Sequence, residues 1–269
     1  MAAKTLYVNG CSWSEGHGIE SDPIISAAPI TSVADMMKIR HQFAWPGVLA
    51  ELTGSRLINE SIGGGSNTRI ARMTCEYLQS LPDSAYKELV VVLGWTTVDR
   101  DEIYLKEKDI GAWGMRNATQ RISDYRVHEF SNSYFEVVDK WQKEYVTLVY
   151  NYKRNYLRFF QQMYLMHNML ENLGIQHLFF NSLPFRRHPG WCSPKTVDID
   201  TEFKTQINAL KKPNILSTRD CDDALNVMYV AMDKHKFAWS ADLHPMVSGH
   251  RMWAEHLFEE MKALQFDFT

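Results

Sequence analysis

The segment Leu89–Gly94 (LVVVLG) constrains the fold more than any other part of this chain. Its apolar run is uninterrupted and rich in valine, which is typical of a parallel strand buried on both faces. Further strands are predicted at 6–8, 56–61 and 176–181, and each is followed by a turn signal. Segments with helical apolar spacing alternate with these strands: 42–53, 68–81, 133–173 and about 248–264. Alternation of strands and helices predicts an α/β fold with a mostly parallel sheet covered on both sides.

Charge and cysteine content exclude several classes of protein. The chain has 29 basic and 32 acidic residues, so its net charge is −3, and we expect no nucleic-acid or membrane partner. Its four cysteines form no CxxC pair, which argues against a disulfide framework or a zinc ribbon. The first apolar run is too short for a signal-peptide core, and no run approaches the roughly 18 residues that span a bilayer. A reducing cytoplasm is therefore the expected compartment.

Three predicted strands end in unusual residues, namely Gly10-Cys11-Ser12, the segment 63–67 (GGGSN) and the segment 94–97 (GWTT). Ligands of parallel sheets bind at the carboxyl ends of the strands, so this convergence predicts a site. Each element also has a structural interpretation. Ser12 alone suits a helix cap, and the glycines alone suit a turn before a helix. Neither a P-loop nor a GxGxxG motif is present, which leaves an exposed backbone N–H suited to an oxyanion.

A fourth element lies before the last helix, where Asp242 and His244 stand two residues apart and precede Pro245. A carboxylate that orients an imidazole, which in turn activates a hydroxyl, is what serine-based acyl transfer requires. A cap or surface histidine is the structural alternative. Metal binding by Asp242, His244 and His250 is a further alternative, but the spacing matches no usual zinc motif, and we expect no metal there.

With these residues assembled, the chain resembles the SGNH (GDSL-type) hydrolase superfamily, and in particular SGNH-like proteins of bacteriophages. Gly10-Cys11-Ser12 is similar to the first block of that superfamily, with Cys11 in place of aspartate. Asn59 and Gly64 match the second block. Thr96 replaces the asparagine of the third block, and Asp242 and His244 are one residue closer together than in the last block.

The resemblance implies a three-layer α/β/α sandwich that forms one SGNH hydrolase-like domain over residues 1–269. We expect insertions at about 98–130 and 185–236, the latter a helical cap over the carboxyl ends of the strands. No sequence block guides substrate choice in these two segments. The sequence gives no prediction of the oligomeric state.

The resemblance also implies the roles of the site residues. Ser12 would be the nucleophile, His244 its base, and Asp242 the group that orients His244. Gly64 and Thr96 would form the oxyanion hole with the Ser12 N–H. No cofactor is implied, and the substrate would be a small-molecule or carbohydrate ester, such as an acetylated sugar. An O-acyltransferase would use the same residues.

Two further expectations concern the local structure and the alternative function. The residue before a proline favours extended backbone, so we predict that Asp242 and His244 face the same side of an extended segment. The departures at Cys11, at Thr96 and in the spacing of Asp242 and His244 leave open a binding or structural protein on an SGNH scaffold. In that case an anionic glycan or phosphate could bind a basic group: Arg154, Arg158, Arg186, Arg187 and His188.

Overall fold

The computed structural model describes residues 4–25, 32–98, 100, 102–103, 113–114, 144, 151–183, 199–216 and 227–268. Within these residues the strands are β1 (Thr5–Asn9), β2 (Arg56–Asn59), β3 (Leu89–Trp95), β4 (Glu102–Ile103), β5 (Trp113–Gly114) and β6 (Gln176–Asn181). The first helices are α1 (Ser12–Glu15), α2 (Val33–Phe43), α3 (Trp45–Thr53) and α4 (Asn67–Gln79). They are followed by α5 (Tyr152–Asn172), α6 (Ile199–Glu202), α7 (Lys204–Ala209), α8 (Met228–Lys234) and α9 (Val247–Ala263).

Four strands form a parallel sheet in the order β2-β1-β3-β6. Strand β3 lies between β1 and β6, and all seven of its residues are buried, as its uninterrupted apolar run predicts. The predicted bounds of β6 are confirmed, and β2 is two residues shorter than expected. β4 and β5 form a separate antiparallel pair.

Helices cover both faces of this sheet, because alternate strand residues point to opposite sides. On one face, Val90 and Val92 lie in the same apolar cluster as residues of α3 and α9, among them Trp45 and Trp253. On the other face, Val91 lies with residues of α4 and α5. The α/β fold with a parallel sheet between helical layers is therefore confirmed.

Residues 199–216 and 227–236 fall within the expected insertion at 185–236, and part of this segment belongs to the core. Phe203 and Ile207 are buried in the cluster on the α5 face. Ile215 and Val227 form isolated parallel bridges with Phe179 and Asn181 of β6, beside the edge of the sheet. Most of the expected insertion at 98–130 lies outside the described residues, as do residues 133–143 and 145–150 of the segment 133–173, which the sequence predicts as one long helix or two joined helices. The described part of that segment forms α5, which begins after extended backbone at Asn151. The domain boundaries stay a prediction.

Candidate active site

The turn after β1 presents Ser12 at the carboxyl edge of the sheet. Ser12 is the first residue of α1, so its backbone N–H lies at the open end of that helix. Gly10 makes the turn possible, because a Cβ atom there would lie 2.3 Å from Ser14 Oγ and 3.1 Å from the Gly94 carbonyl oxygen. Ser14 is fully buried at this crossing, as expected for a packing residue.

Ser12 is brought together with His244, which lies 232 positions later in the sequence. The distance between Ser12 Oγ and His244 Nε2 is 2.8 Å, and both residues are buried. The ring of Trp13 packs against the loop that carries His244, with centroid distances of 6.3 Å to His244 and 5.6 Å to Trp239. The hydroxyl can therefore donate its proton directly to the imidazole.

Asp242 lies on the other side of the same imidazole, with 3.2 Å between Asp242 Oδ2 and His244 Nδ1. This distance places the carboxylate in direct ion-pair contact with the ring nitrogen that does not face Ser12. The Asp242 side chain is about half exposed, with 52% of its surface accessible. It can orient the ring and stabilise its protonated form, although water screens part of that attraction.

The backbone between Asp242 and His244 differs from the extended segment that the sequence predicts, and that expectation is wrong. Leu243 has a φ of 62°, in the left-handed region, and its N–H donates to the Ser240 carbonyl at 3.0 Å. The Ser240 N–H donates to the His244 carbonyl at 2.9 Å, which closes a tight turn between Trp239 and Pro245. The turn, and not alternation along a strand, brings the carboxylate to the ring.

Ser240 is a site residue that sequence reasoning missed. Its hydroxyl donates to Asp242 Oδ1 and accepts from the backbone N–H of His244 at 3.0 Å, so it holds both residues in place. Burial raises the pKa of Asp242, but the Ser240 hydroxyl and the nearby His244 ring outweigh it and hold that pKa below its ordinary value. Asp242 is accordingly a carboxylate at neutral pH. A serine two residues before an aspartate is a common turn signal, which could have suggested this role.

The expected oxyanion residues lie on loops that pack against the turn containing Ser12. The Ile62 N–H donates to the Gly10 carbonyl at 3.3 Å, and a Cβ at Gly65 would meet the same oxygen at 3.0 Å. Gly64 adopts a φ of 74°, which favours glycine. Among the described residues, none accepts a hydrogen bond from the Gly64 N–H. That donor is available to a ligand.

Thr96 directly follows β3 and is fully buried. Its Oγ1 has no hydrogen-bond partner within the described part of the chain, which is unusual for a buried hydroxyl. The backbone of Thr96 is held by Asn67, whose side chain accepts from the Thr96 N–H at 2.8 Å and donates to its carbonyl at 3.0 Å. The role of Asn67 in fixing Thr96 is one that sequence reasoning missed.

A second buried histidine, His17, lies beside His244, with 5.5 Å between the ring centroids. Burial and the nearby Arg40 lower the pKa of His17 to about 4, so the ring is neutral at physiological pH. Glu15 lies 3.4 Å from His17 Nε2, accepts from the Gly63 N–H, and pairs with Arg40 at 3.0 Å. This network ties α1 to the glycine loop and to α2. Nothing in the local sequence pattern indicates it.

The group considered for metal binding is divided in the structure. His250 is completely buried, and its Nδ1 accepts a hydrogen bond from the Trp45 N–H at 3.2 Å, away from the other two residues. The third histidine or carboxylate near Asp242 and His244 is instead His17. One ligand atom from each of these three residues lies within 4.8 Å of the other two. His244 Nε2 in this group is already engaged by Ser12. The arrangement suits proton transfer from Ser12.

Two residues of the expected basic group are among the described residues. Arg154 and Arg158 of α5 line an open cavity of about 630 Å³ together with Asn151, Leu157 and Gln161. Arg186, Arg187 and His188 lie outside the described residues. No helix among the described residues is long and apolar enough to cross a membrane.

Comparison with solved structures identifies the class of fold. The chain is similar to a carbohydrate esterase family 2 enzyme with a carbohydrate-binding domain from Corynascus thermopiles (Myceliophthora fergusii), with 13% identity and a TM-score of 0.50 over 98% of this chain and 67% of that one. It is also similar to the esterase EstA from Pseudoalteromonas sp. (12% identity, 97% and 98% coverage, TM-score 0.46) and to TesA (12%, 97% and 99%, TM-score 0.49). At this identity the likeness to the carbohydrate esterase family 2 enzyme concerns the fold alone, which is the α/β fold with a parallel sheet described above.

A family model described as "Family of unknown function (DUF6071)" matches residues 31–190, which is more than half of the chain. The chain belongs to that family. The matched segment contains Gly64 and Thr96, whereas Ser12, Asp242 and His244 lie outside it. No curated protein sequence matches this chain.

Proposed function

We propose that the protein is a serine esterase of the SGNH type, which cleaves an ester through Ser12, His244 and Asp242. The observation that carries this proposal is the 2.8 Å contact between Ser12 Oγ and His244 Nε2 at the carboxyl edge of the sheet. The lowered pKa of Asp242 supports it, because an ionised carboxylate beside Nδ1 stabilises the imidazolium that forms during the reaction.

The reaction begins when His244 Nε2 takes the Ser12 proton and Ser12 Oγ forms a bond to the carbonyl carbon of the ester. The resulting oxyanion accepts hydrogen bonds from the N–H groups of Ser12 and Gly64 and from the Thr96 hydroxyl. The C–O bond to the alcohol then breaks, and the imidazolium gives its proton to the departing alcohol. Water then gives a proton to the same ring and bonds to the acyl carbon, the bond from that carbon to Ser12 Oγ breaks, and the ring returns the proton to Ser12 Oγ as the acid leaves. Each proton taken by His244 is thereby returned.

Acetyl and other short acyl esters are the substrates that we propose, with acetylated carbohydrates as the first class to examine. The carbohydrate esterase with the similar fold supports this choice at the level of the fold alone. The relationship to bacteriophage proteins stays a prediction, as do the roles of the residues named above.

A short-chain ester assay with the purified full chain tests the proposal, followed by a panel of acetylated mono- and oligosaccharides. The parent protein should release acetate from at least one of these esters, and Ser12→Ala should abolish release. Ser80→Ala is the matched control, because Ser80 lies at the far end of α4 and donates to a backbone carbonyl there. Turnover that persists in Ser12→Ala would exclude Ser12 as the nucleophile.

A further inference from the structure

A second cluster of metal-ligating side chains lies at the end of the sheet opposite to Ser12. His167 and Glu171 stand four positions apart on α5, so both face the same neighbour. That neighbour is His177, the second residue of β6. The carboxyl end of β6 is four residues further on, which is roughly 13 Å at about 3.3 Å per residue. The cluster is thus separate from the candidate active site.

Two hydrogen-bond donors lie within reach of a single lone pair on the ring of His177. His177 Nδ1 lies 2.9 Å from the Ile175 carbonyl oxygen, and a carbonyl can only accept, so Nδ1 carries the hydrogen. The lone pair is then on Nε2. Both His167 Nδ1 and the Asn214 side-chain amide lie 2.9 Å from that one atom. The lone pair on His177 Nε2 can accept only one of these two hydrogen bonds well. A metal cation would instead form a coordinate bond with that lone pair.

The ring nitrogens are also in the state that a metal requires. Burial lowers the pKa of His177 to about 4, and burial likewise lowers the pKa of His167. Neutral imidazoles bind metals without first losing a charge. A ligating histidine commonly donates its other N–H to a backbone carbonyl, which fixes the tautomer, and the contact with Ile175 has this form.

The distances fit a tetrahedral ion. One ligand atom each from His167, Glu171 and His177 lie within 4.8 Å of one another. His167 Nδ1 is 2.9 Å from His177 Nε2, and Glu171 Oε1 is 3.8 Å from the same nitrogen. Bonds of about 2.0–2.1 Å in tetrahedral geometry separate ligand atoms by about 3.3–3.4 Å, which lies between these two values. Shifts of about half an ångström in side chains would complete the coordination.

We propose that His167, Glu171 and His177 bind a divalent transition-metal ion, with zinc as the preferred type. Zinc accepts two histidines and a carboxylate and leaves a fourth position, here for water. The ion reaches the site from the Glu171 side, where 57% of the side-chain surface is accessible. It joins the end of α5 to β6, and Asn214 links it to the next segment, since Asn214 donates to Glu171 Oε1 at 3.3 Å.

Titration of the full chain with cobalt(II), a spectroscopic substitute for zinc, tests this proposal. One equivalent should bind and give the visible absorption of tetrahedral cobalt. Glu171→Gln should weaken binding at least about tenfold, since even lost supporting contacts cost that much. The matched control is Glu76→Gln, because Glu76 is an equally exposed glutamate on another helix, 53% accessible. Asp242→Asn removes a ligand of the other cluster and should leave binding unchanged.

Thermal unfolding supplies a second readout. A metal excess of a hundred times Kd should raise the Tm of the parent by roughly 5–10 °C, and at the same metal concentration the rise should fall to about half or less in Glu171→Gln. Metal-free protein should hydrolyse esters at the same rate as metal-loaded protein. The metal site and the proposed esterase activity can therefore fail independently of each other. Absence of binding, or binding that is lost in Asp242→Asn and retained in Glu171→Gln, would overturn the proposal. His167→Gln gives an independent check, with binding lost if the proposal is right and retained if it is wrong.

Discussion

Ser12 Oγ and His244 Nε2 lie 2.8 Å apart although 232 positions separate them in the chain. Two local structures create this contact: the turn that begins α1, and the closed turn from Trp239 to Pro245. Trp13 packs against Trp239 and so fixes one turn against the other. The contact therefore depends on the packed core as much as on the two polar residues.

Asp242→Asn tests the orientation of His244. The amide cannot stabilise an imidazolium and can favour the wrong tautomer, so we expect turnover to fall by up to ~10⁴. The fold should be retained, because the Asp242 side chain is half exposed. The measurement is kcat on a short-chain ester, with Asp233→Asn, an exposed aspartate on α8, as the control. A variant within a few-fold of the parent would mean that His244 takes its orientation from elsewhere.

Thr96→Val tests the third oxyanion donor. Valine is nearly isosteric with threonine, and loss of one such donor typically costs about 10²–10³ in rate. Because Oγ1 of Thr96 has no hydrogen-bond partner among the described residues, its removal should cost little stability. We expect kcat to fall with Tm nearly unchanged. Unchanged kcat would show that Thr96 is structural, and Thr97→Val provides a neighbouring control.

Gly10→Ala tests how the nucleophile turn is built. The added Cβ would lie 2.3 Å from Ser14 Oγ and 2.7 Å from Ser14 Cβ, so we expect overpacking to lower the free energy of unfolding by about 1–3 kcal/mol. Ser14→Gly removes the clashing atoms. The double variant should therefore be more stable than the sum of the two single effects predicts. Strict additivity in denaturant titrations would show that the two positions do not interact.

The buried His250 gives a prediction for pH. Burial lowers its pKa to about 3, below the ordinary value of 6.5, so the unfolded chain binds this proton more readily than the folded chain does. The stabilising contribution is complete above pH 6.5 and is lost as the pH falls toward 3, by about 2 kcal/mol between pH 7 and pH 5. His250→Asn keeps an acceptor for the Trp45 N–H and removes the titration. Its unfolding free energy should fall less steeply with acid than that of the parent, and equal slopes would contradict this assignment.

The fold could be predicted from sequence where burial imposes a plain pattern. The apolar run at Leu89–Gly94 indicates β3 because a strand buried on both faces needs apolar residues throughout. The turn at Leu243 could not be predicted in this way, since leucine rarely adopts a positive φ and Pro245 favours the opposite interpretation. The closing hydrogen bonds from Ser240 outweigh that local preference.

The site residues divide along similar lines. Ser12, Asp242 and His244 were predicted from motif blocks, and the structure brings these three close together. The contact of His17 with His244 and the contact of His177 with His167 join separate elements, and no spacing along the chain indicates either pair. Contacts of this kind can be identified only from the three-dimensional structure, in which the helices are packed on the sheet.

The most direct test of the central claim is to locate the serine that reacts with a fluorophosphonate. Labelling of the full chain, followed by digestion and mass spectrometry, should place one adduct on Ser12 and none on Ser14. Labelling should persist in Ser14→Ala and be lost in Ser12→Ala and in His244→Gln. No adduct on the parent protein, or an adduct on Ser14 that survives Ser12→Ala, would contradict the account.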